Sequence, residues 1–171
     1  MPDLHPPHTP ADPRIRDVTP ADVAAVVGLI HELALYEKLP DECHVTAELL
    51  SAALFAPQPS VFAQVAVVDG TVAGFAMWFL NFSTWEGVHG IHLEDLYVRP
   101  EHRGSGLGKA LLSHLAAIAV SRGYARVEWS VLDWNTPSID FYRALGAEPM
   151  DGWTTFRLTG PALARTGTGT A

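Results

Sequence analysis

The sequence predicts an α/β fold in which a central mixed sheet of about seven strands is flanked by about four helices. Two observations support this prediction. Asp69-Gly70, a dipeptide typical of two-residue hairpins, joins two β-rich runs and predicts an antiparallel pair. Further along, a β-rich run leads through a glycine-rich loop into a helical pattern and then into another β-rich run. Such a connection predicts parallel neighbours, because parallel strands need a crossover between them.

The N-terminal part of the folded region is predicted to contain one strand and two helices. The strand covers residues 14–18, and Thr19-Pro20 then indicates an N-cap with proline in the first helical turn. Apolar residues recur at helical spacing to about residue 38, which predicts the first helix. A shorter helix is predicted to begin at the cap Thr46 and to end before Pro57.

Three consecutive strands are predicted in the middle of the chain, over residues 61–68, 72–80 and 89–98. These runs are rich in β-branched and aromatic residues, which favour a pleated and partly buried surface. The segment 81–88 is predicted to be a loop. Gly90 indicates a bulge or a close backbone approach within the third of these strands.

The C-terminal part is predicted to contain two helices and three strands. Apolar residues at helical spacing predict a helix from the glycine-rich loop to about residue 121, followed by a strand over 125–132. Asn135, with proline two residues later, indicates the start of the last helix. Two final strands are predicted over 147–150 and 153–158.

Length, composition and charge narrow the class of protein. The 171 residues are 48% apolar, which suits one domain, and we expect it over residues 13–159 between a disordered leader, 1–12, and a disordered tail, 160–171. The net charge of -8 argues against nucleic-acid and anionic-membrane partners and suits a cationic substrate. A single cysteine, without a signal-peptide or membrane-spanning pattern, predicts a cytoplasmic protein.

The glycine-rich loop, Gly104-Ser105-Gly106-Leu107-Gly108-Lys109, has the features of a phosphate-binding site. Glycines at alternate positions leave backbone N–H groups uncovered where a helix N-terminus adds partial positive charge. A Walker A motif fails because Arg103 and Ala110 stand where it needs glycine and a hydroxyl residue. A dinucleotide-binding fingerprint fails because Lys109 stands at its third glycine. The spacing that fits is Arg-x-x-Gly-x-Gly.

This motif resembles the acetyl-CoA pyrophosphate loop of the GNAT superfamily of N-acetyltransferases. The resemblance covers about residues 29–158 and points to the diamine, or spermidine/spermine, N-acetyltransferase branch. It depends most on Leu-Glu-Asp-Leu-Tyr-Val at 93–98, on the glycine loop, and on Trp-Asn-Thr-Pro-Ser-Ile-Asp-Phe-Tyr at 134–142. It implies a GNAT-type fold, acetyl-CoA as co-substrate, no metal, direct attack by an amine in a ternary complex, and a homodimer.

The resemblance also implies which residues bind the cofactor. Backbone groups of Leu96, Tyr97 and Val98 would meet the pantetheine arm and the acetyl group. The other implied cofactor-binding residues are Arg103, Gly104, Ser105, Gly106, Leu107, Gly108, Lys109, Asn135, Ser138 and Tyr142.

Two residues are the candidates for catalysis. A lysine-like amine has a pKa near ~10.4, so at pH 7 fewer than ~1 in 1,000 molecules are neutral, which costs roughly 4 to 5 kcal/mol. Glu94 is the candidate base, acting through water, and Tyr142 is the candidate acid for the departing thiolate. Asp95 points to the opposite face if the strand is regular, but a bulge would bring it to the substrate.

Amine recognition is assigned to carboxylates and aromatic rings, which suit cations. The candidate substrate-binding residues are Tyr36, Glu37, Trp85, Glu94, Asp95 and Glu128. The favoured substrate is a small diamine- or polyamine-like cation. The alternatives are the side-chain amine of a lysine analogue or a protein amine and, in a different class, a non-catalytic acyl-CoA-binding regulatory domain. A metal site at His92 and Glu94 is disfavoured, because two strand neighbours make only a partial ligand set.

Overall fold

The computed structural model describes residues 11–169, and these residues form two compact units. The first unit ends at Ser130 and the second begins at Val131. The sequence predicts one domain over 13–159, so the division falls inside the predicted domain. Most of the predicted leader lies outside the described residues.

The first unit contains the sheet and three of the α-helices. Its elements in chain order are β1 (Ile15–Asp17), α1 (Val23–Tyr36), α2 (Ala47–Leu54), β2 (Phe62–Val68), β3 (Thr71–Ser83), β4 (Val88–Val98), α3 (Leu107–Ser121) and β5 (Val127–Glu128). Local signals account for most of these boundaries. Thr46 caps α2 by accepting a hydrogen bond from the Leu49 N–H at 3.3 Å, as the sequence predicts.

The strands form one mixed sheet in the order β1-β2-β3-β4-β5. The first four strands are antiparallel to their neighbours, and β5 is parallel to β4 across the α3 connection. Asp69 and Gly70 both have positive φ angles, 49° and 76°, as the predicted hairpin turn requires. The mixed α/β fold class is therefore confirmed.

The core of the first unit lies along β2 and β3. Val26 and Leu29 of α1 are fully buried against Val65 and Phe75 of the sheet, and α2 adds Leu50. Helix α3 packs on β3 and β4 with a separate set of buried side chains, Leu107, Leu111, Leu115 and Ile118. Helices α1 and α3 both contact β4 as well.

The sheet has fewer strands than predicted. Residues 11–169 contain five strands rather than about seven, and the predicted strands over 147–150 and 153–158 are not strands in this range. The strand predicted over 125–132 is reduced to β5, because only two residue pairs join it to β4. The predicted loop 81–88 is also too long, since β3 continues to Ser83 and β4 begins at Val88. A segment with apolar alternation forms a strand only where a partner strand is available to pair with it.

The second unit contains α4 (Thr136–Ala144) and α5 (Gly160–Thr168). Helix α4 begins where the sequence predicts, with the Ser138 N–H donating to the Asn135 side chain at 3.4 Å. Helix α5 corrects the expectation of a disordered tail for the residues that it covers. Its first turn contains Pro161, a helix-start signal that the Gly- and Thr-rich composition obscured.

Candidate active site

The predicted phosphate loop lies between a short 3-10 turn, Pro100–His102, and α3. Gly104 and Gly106 have φ angles of 76° and 84°, in the left-handed region that favours glycine. Gly106 is the N-cap of α3 and provides no side chain to cap the helix. The loop therefore presents bare backbone at the positive end of a 15-residue helix.

The loop amides are available to a ligand. Within the described residues, no protein atom accepts a hydrogen bond from the backbone N–H groups of residues 104–109. Gly104, Ser105 and Gly106 are exposed to solvent, as is Lys109 in the first turn of α3. Uncapped N–H groups at a helix N-terminus favour a phosphate group, so these residues fit the diphosphate of acetyl-CoA.

Arg103 is directed toward α1. Its Nε donates to the carbonyl oxygen of Val98 at 2.9 Å. Its guanidinium carbon lies 5.2 Å from the ring centre of Tyr36 and 5.5 Å from that of Tyr97. These cation-π contacts place the Arg103 charge between the loop and the end of α1. Its predicted contact with phosphate stays a prediction.

A bulge interrupts the pairing of β4 with β3. Asp95 pairs with Met77 and Leu93 pairs with Trp78, so Glu94 is the extra residue between them. Because a bulge shifts the alternation by one residue, Asp95 falls on the same side as Met77, which belongs to the core under α1 and α2. The sequence left this orientation open, and the bulge decides it.

The edge of β4 that faces β5 is unpaired in the described chain from the bulge onward. In the described chain β5 pairs with β4 only at Ile91 and His92, so the β5-facing edge from Leu93 to Val98 has no partner strand there. This edge includes the backbone of the predicted cofactor residues Leu96, Tyr97 and Val98. The Val98 carbonyl oxygen accepts from Arg103, but the rest of this edge has no strand partner in the described chain, which suits an extended ligand that contains amides, such as pantetheine.

Asp95 lies among other carboxylates. Burial, followed by the negative charges of Glu94 and Glu37, raises its pKa from 3.8 to about 6. Burial also raises the pKa of Glu37, which directly follows α1. No lysine or arginine among residues 11–169 forms an ion pair with Asp95 or Glu37. This acidic cluster, Glu37, Glu94 and Asp95, is short of positive charge and suits a bound ammonium group.

Glu94 is the most accessible member of the acidic cluster. Its side chain is 58% exposed, and its Oε2 lies 3.8 Å from Nε2 of His92. The His92 ring stacks on Phe79 with 4.8 Å between ring centres. Glu94 can therefore reach water, as the predicted water-mediated base requires.

The remaining predicted amine-binding residues differ in their surroundings. Tyr36 is the last residue of α1 and contacts Arg103. Trp85 lies in the β3–β4 turn and is 88% exposed. Glu128 on β5 is bound to protein groups, since Asn81 donates to Oε1 and Arg126 forms an ion pair with Oε2 at 2.9 Å. Glu128 has both oxygens engaged and is not a member of the acidic cluster.

The predicted catalytic acid belongs to the second unit. Tyr142 lies in α4, with 5.3 Å between its ring centre and that of Phe141. Asn135, a predicted cofactor residue, is buried and caps α4 through the N–H of Ser138. Asn135 thus has a clear structural role, and the cofactor contacts predicted for these residues stay predictions.

Neither a metal cluster nor a membrane helix occurs in the described residues. No group of three or more His, Cys, Asp or Glu side chains between residues 11 and 169 could hold a metal ion. In the same range, no helix has both the length and the apolar character needed to cross a bilayer.

A mixed sheet whose strands part beside a glycine-rich helix N-terminus defines a class of proteins that bind acyl-CoA for acyl transfer. The model of the acetyltransferase (GNAT) family matches residues 29–147. The chain belongs to this family. It is therefore an N-acetyltransferase that acts on an amine, and enzymes of this family use acetyl-CoA as co-substrate.

Individual relatives agree with this assignment. The chain is 36% identical over 160 residues to a thialysine N-epsilon-acetyltransferase from Bos taurus, covering 87% of this chain and 94% of that protein. It is 30% identical over 154 residues to spermidine/spermine N(1)-acetyltransferase-like protein 1 from Homo sapiens, covering 84% of this chain and 22% of that protein. A solved integron cassette protein from the mobile metagenome of V. cholerae superposes with a TM-score of 0.76 at 27% identity, covering 90% of this chain and 96% of that one. The predicted resemblance to the spermidine/spermine branch is confirmed.

Proposed function

We propose that this enzyme acetylates a primary amine on a small cationic molecule that carries a second nitrogen, by direct attack on acetyl-CoA in a ternary complex. The observation that supports this proposal best is the acidic cluster Glu37, Glu94 and Asp95, which adjoins the open edge of β4. An amine bound there would lie next to the strand along which we place the acetyl group.

Acetyl-CoA supplies the thioester carbonyl that the amine attacks. The amides of residues 104–109 would bind its diphosphate, and the edge of β4 at 96–98 would bind its pantetheine arm. Lys109 adds a positive charge in the first turn of α3. These groups bind and orient the donor, which turns a bimolecular reaction into one between held partners.

Asp95 is proposed to bind the substrate ammonium group. Its pKa of about 6 means that burial and two like charges work against its ionised form. A bound cation would relieve this repulsion and favour the carboxylate. Below about pH 6 part of the substrate's binding energy would be spent on removing the proton from Asp95, so amine binding should weaken there.

Glu94 is proposed to remove the amine proton through water. Its exposed carboxylate at the bulge can hold a water between itself and the amine, and His92 at 3.8 Å can stabilise its charge when protonated. The neutral amine then attacks the carbonyl carbon, the C–S bond breaks, and the thiolate takes a proton from Tyr142. The attacking nitrogen gives up its second proton, directly or through water, to the Tyr142 phenolate, which restores the tyrosine and leaves a neutral amide and a free thiol. A tyrosine pKa near 10 against a thiol pKa near 8.5 makes the full transfer uphill by roughly 2 kcal/mol, which is small beside a reaction barrier.

Two substrates fit the proposal. A diamine or polyamine is the substrate predicted from the sequence, and it would place a second ammonium group near the remaining carboxylates. The side-chain amine of a lysine analogue is the second candidate, favoured by the 36% identity to a thialysine enzyme over nearly the whole of both proteins. Both substrates carry a second nitrogen, but only the lysine analogue has a carboxylate.

A free-CoA release assay tests the proposal. The panel contains diamines, polyamines, lysine analogues, aminoglycosides, peptides and a monoamine of matched length. We expect thiol release with diamines or lysine analogues and much less with the monoamine, because it leaves part of the acidic cluster unpaired. Acetyl-CoA binding without thiol release across the panel would support the non-catalytic alternative. The homodimer and the cytoplasmic location stay predictions.

A further inference from the structure

We propose that Arg14 is a positioning residue for the diphosphate of acetyl-CoA: it holds the peptide between Ser105 and Gly106 so that the loop amides face the ligand. This inference rests on the proposed function, because it assumes that the glycine loop binds CoA. Nothing in the local sequence connects Arg14 with the loop, which lies 91 residues further along the chain.

Arg14 contacts the loop at Ser105, between the two glycines with positive φ. Its Nη1 donates a hydrogen bond to the carbonyl oxygen of Ser105 at 3.1 Å. Its Nη2 lies 3.9 Å from the position that a Cβ on Gly106 would occupy. The guanidinium therefore lies against the peptide that enters α3, between two glycines with positive φ.

The guanidinium is itself held in place. The Arg14 carbonyl accepts a hydrogen bond from the Val67 N–H at 2.8 Å, which fastens the backbone to β2. Asp12 accepts bonds from Nε at 3.0 Å and from Nη2 at 2.7 Å, and its Oδ1 also accepts the Arg14 backbone N–H at 3.0 Å. The side chain of Arg14 is thus held by Asp12 as it extends from the residue before β1 to the glycine loop.

The planarity of the peptide unit explains how the Arg14 side chain orients the loop. The C=O of Ser105 and the N–H of Gly106 belong to one planar unit and point in opposite directions. A bond that holds the carbonyl toward Arg14 therefore turns the Gly106 N–H away from it, to the side on which the ligand would bind. Glycine loses the most conformational entropy on ordering, so a loop ordered before CoA arrives binds it at a lower cost.

The position of the Arg14 guanidinium matters more for the loop than its positive charge does. Asp12 lies 2.7 Å from Nη2, and the Arg14 guanidinium lowers the pKa of Asp12 to about 2, so the pair is neutral as a unit at physiological pH. The side chain of Arg14 is also 38% exposed, where solvent screens charges. The directional bond to Ser105 is the part that a lysine cannot reproduce with the same bracing by Asp12.

Arg14→Lys tests the proposal, with Arg16→Lys as the matched control. Arg16 lies on β1 and also forms a forked pair with a carboxylate, at 2.7 and 2.9 Å to Asp22, but it does not contact the loop. We would measure the Kd of CoA by calorimetry, and the KM of acetyl-CoA beside that of acetyl-pantetheine, which lacks the diphosphate. Melting temperatures check that both variants fold.

We expect Arg14→Lys to raise the Kd of CoA about tenfold while the KM of acetyl-pantetheine stays unchanged, and Arg16→Lys to leave both at the original values. If Arg14→Lys does not fold, Asp12→Asn is the second test. It weakens the ionic contact that holds Arg14 but keeps the Arg14 side chain, so it should also raise the Kd of CoA. CoA binding that survives these changes, or an equal loss with acetyl-pantetheine, overturns the inference alone. A parent protein that does not bind CoA overturns the proposed function and this inference together.

Discussion

Replacing Asp95 by asparagine should make the protein more stable at neutral pH and less able to bind its amine. The pKa of Asp95 rises from 3.8 to about 6, chiefly through burial and then through the charges of Glu94 and Glu37. A raised pKa in the folded state means that the native protein holds this proton more tightly than the unfolded chain. Stability from the protonated carboxyl is therefore fully present below about pH 4 and is lost as the pH rises through about 6.

The size of the effect follows from the same shift. A rise of about two pKa units, at about 1.4 kcal/mol for each unit, corresponds to roughly 3 kcal/mol of stability lost above pH 6. Asparagine is neutral at every pH and avoids this loss. We expect Asp95→Asn to match the parent protein near pH 4 and to exceed it by up to roughly 3 kcal/mol at pH 7.5.

Urea unfolding at pH 4.5, 6 and 7.5 measures this difference. Glu94→Gln is the control, because it removes one neighbouring charge but keeps the half-buried Asp95 carboxyl. Its stability should still fall as the pH rises, over a window shifted to lower pH. If the stability difference between Asp95→Asn and the parent is the same at pH 4.5 and 7.5, the reasoning about Asp95 is refuted.

Three further predictions concern catalysis, recognition and the fold. Tyr142→Phe should lower kcat more than tenfold and leave the Kd of CoA unchanged, and unchanged turnover would remove Tyr142 from the reaction. Glu37→Gln should raise the amine KM severalfold with no change in the acetyl-CoA KM; an unaltered amine KM would place Glu37 outside the amine site. Gly74→Ala should cost about 2 kcal/mol of stability, because the new Cβ would lie 2.7 Å from the Tyr97 carbonyl oxygen. Gly28→Ala in α1, with nothing within 4 Å, should instead add about 0.5 to 1 kcal/mol. Equal melting temperatures for these two glycine variants would contradict the predicted clash.

Features with local causes were predictable. The Asp69-Gly70 turn, the cap at Thr46 and the start of α4 at Asn135 each depend on a few adjacent residues, and each appears where the sequence predicts it. The glycine loop belongs to the same group, because it leads directly into α3 as the sequence predicts, while its phosphate binding stays a prediction. Family membership was also accessible, since its motifs are short and have fixed spacing.

Features that depend on contacts between distant strands were not predictable from the sequence. The alternation at 153–158 predicts a strand, but that segment pairs with no strand in residues 11–169. Asn81, from β3, and Arg126, from the approach to β5, engage the oxygens of Glu128. The sequence does not show these contacts, and the predicted substrate contact of Glu128 stays a prediction. Neither result can be derived without knowing which segments come together.

The sequence by itself therefore determined the α/β class, the glycine-rich start of α3 and membership of the GNAT family, because local backbone preferences and motif spacing specify them. Tertiary structure alone decided which carboxylates meet and what supports the loop. The bulge at Glu94 is a matter of register between β3 and β4, and it turns Asp95 toward the side of Glu37. Arg14 reaches Ser105 only because β1 pairs at the sheet edge next to α3. Contacts between segments far apart in the chain depend on packing, and no local pattern encodes them.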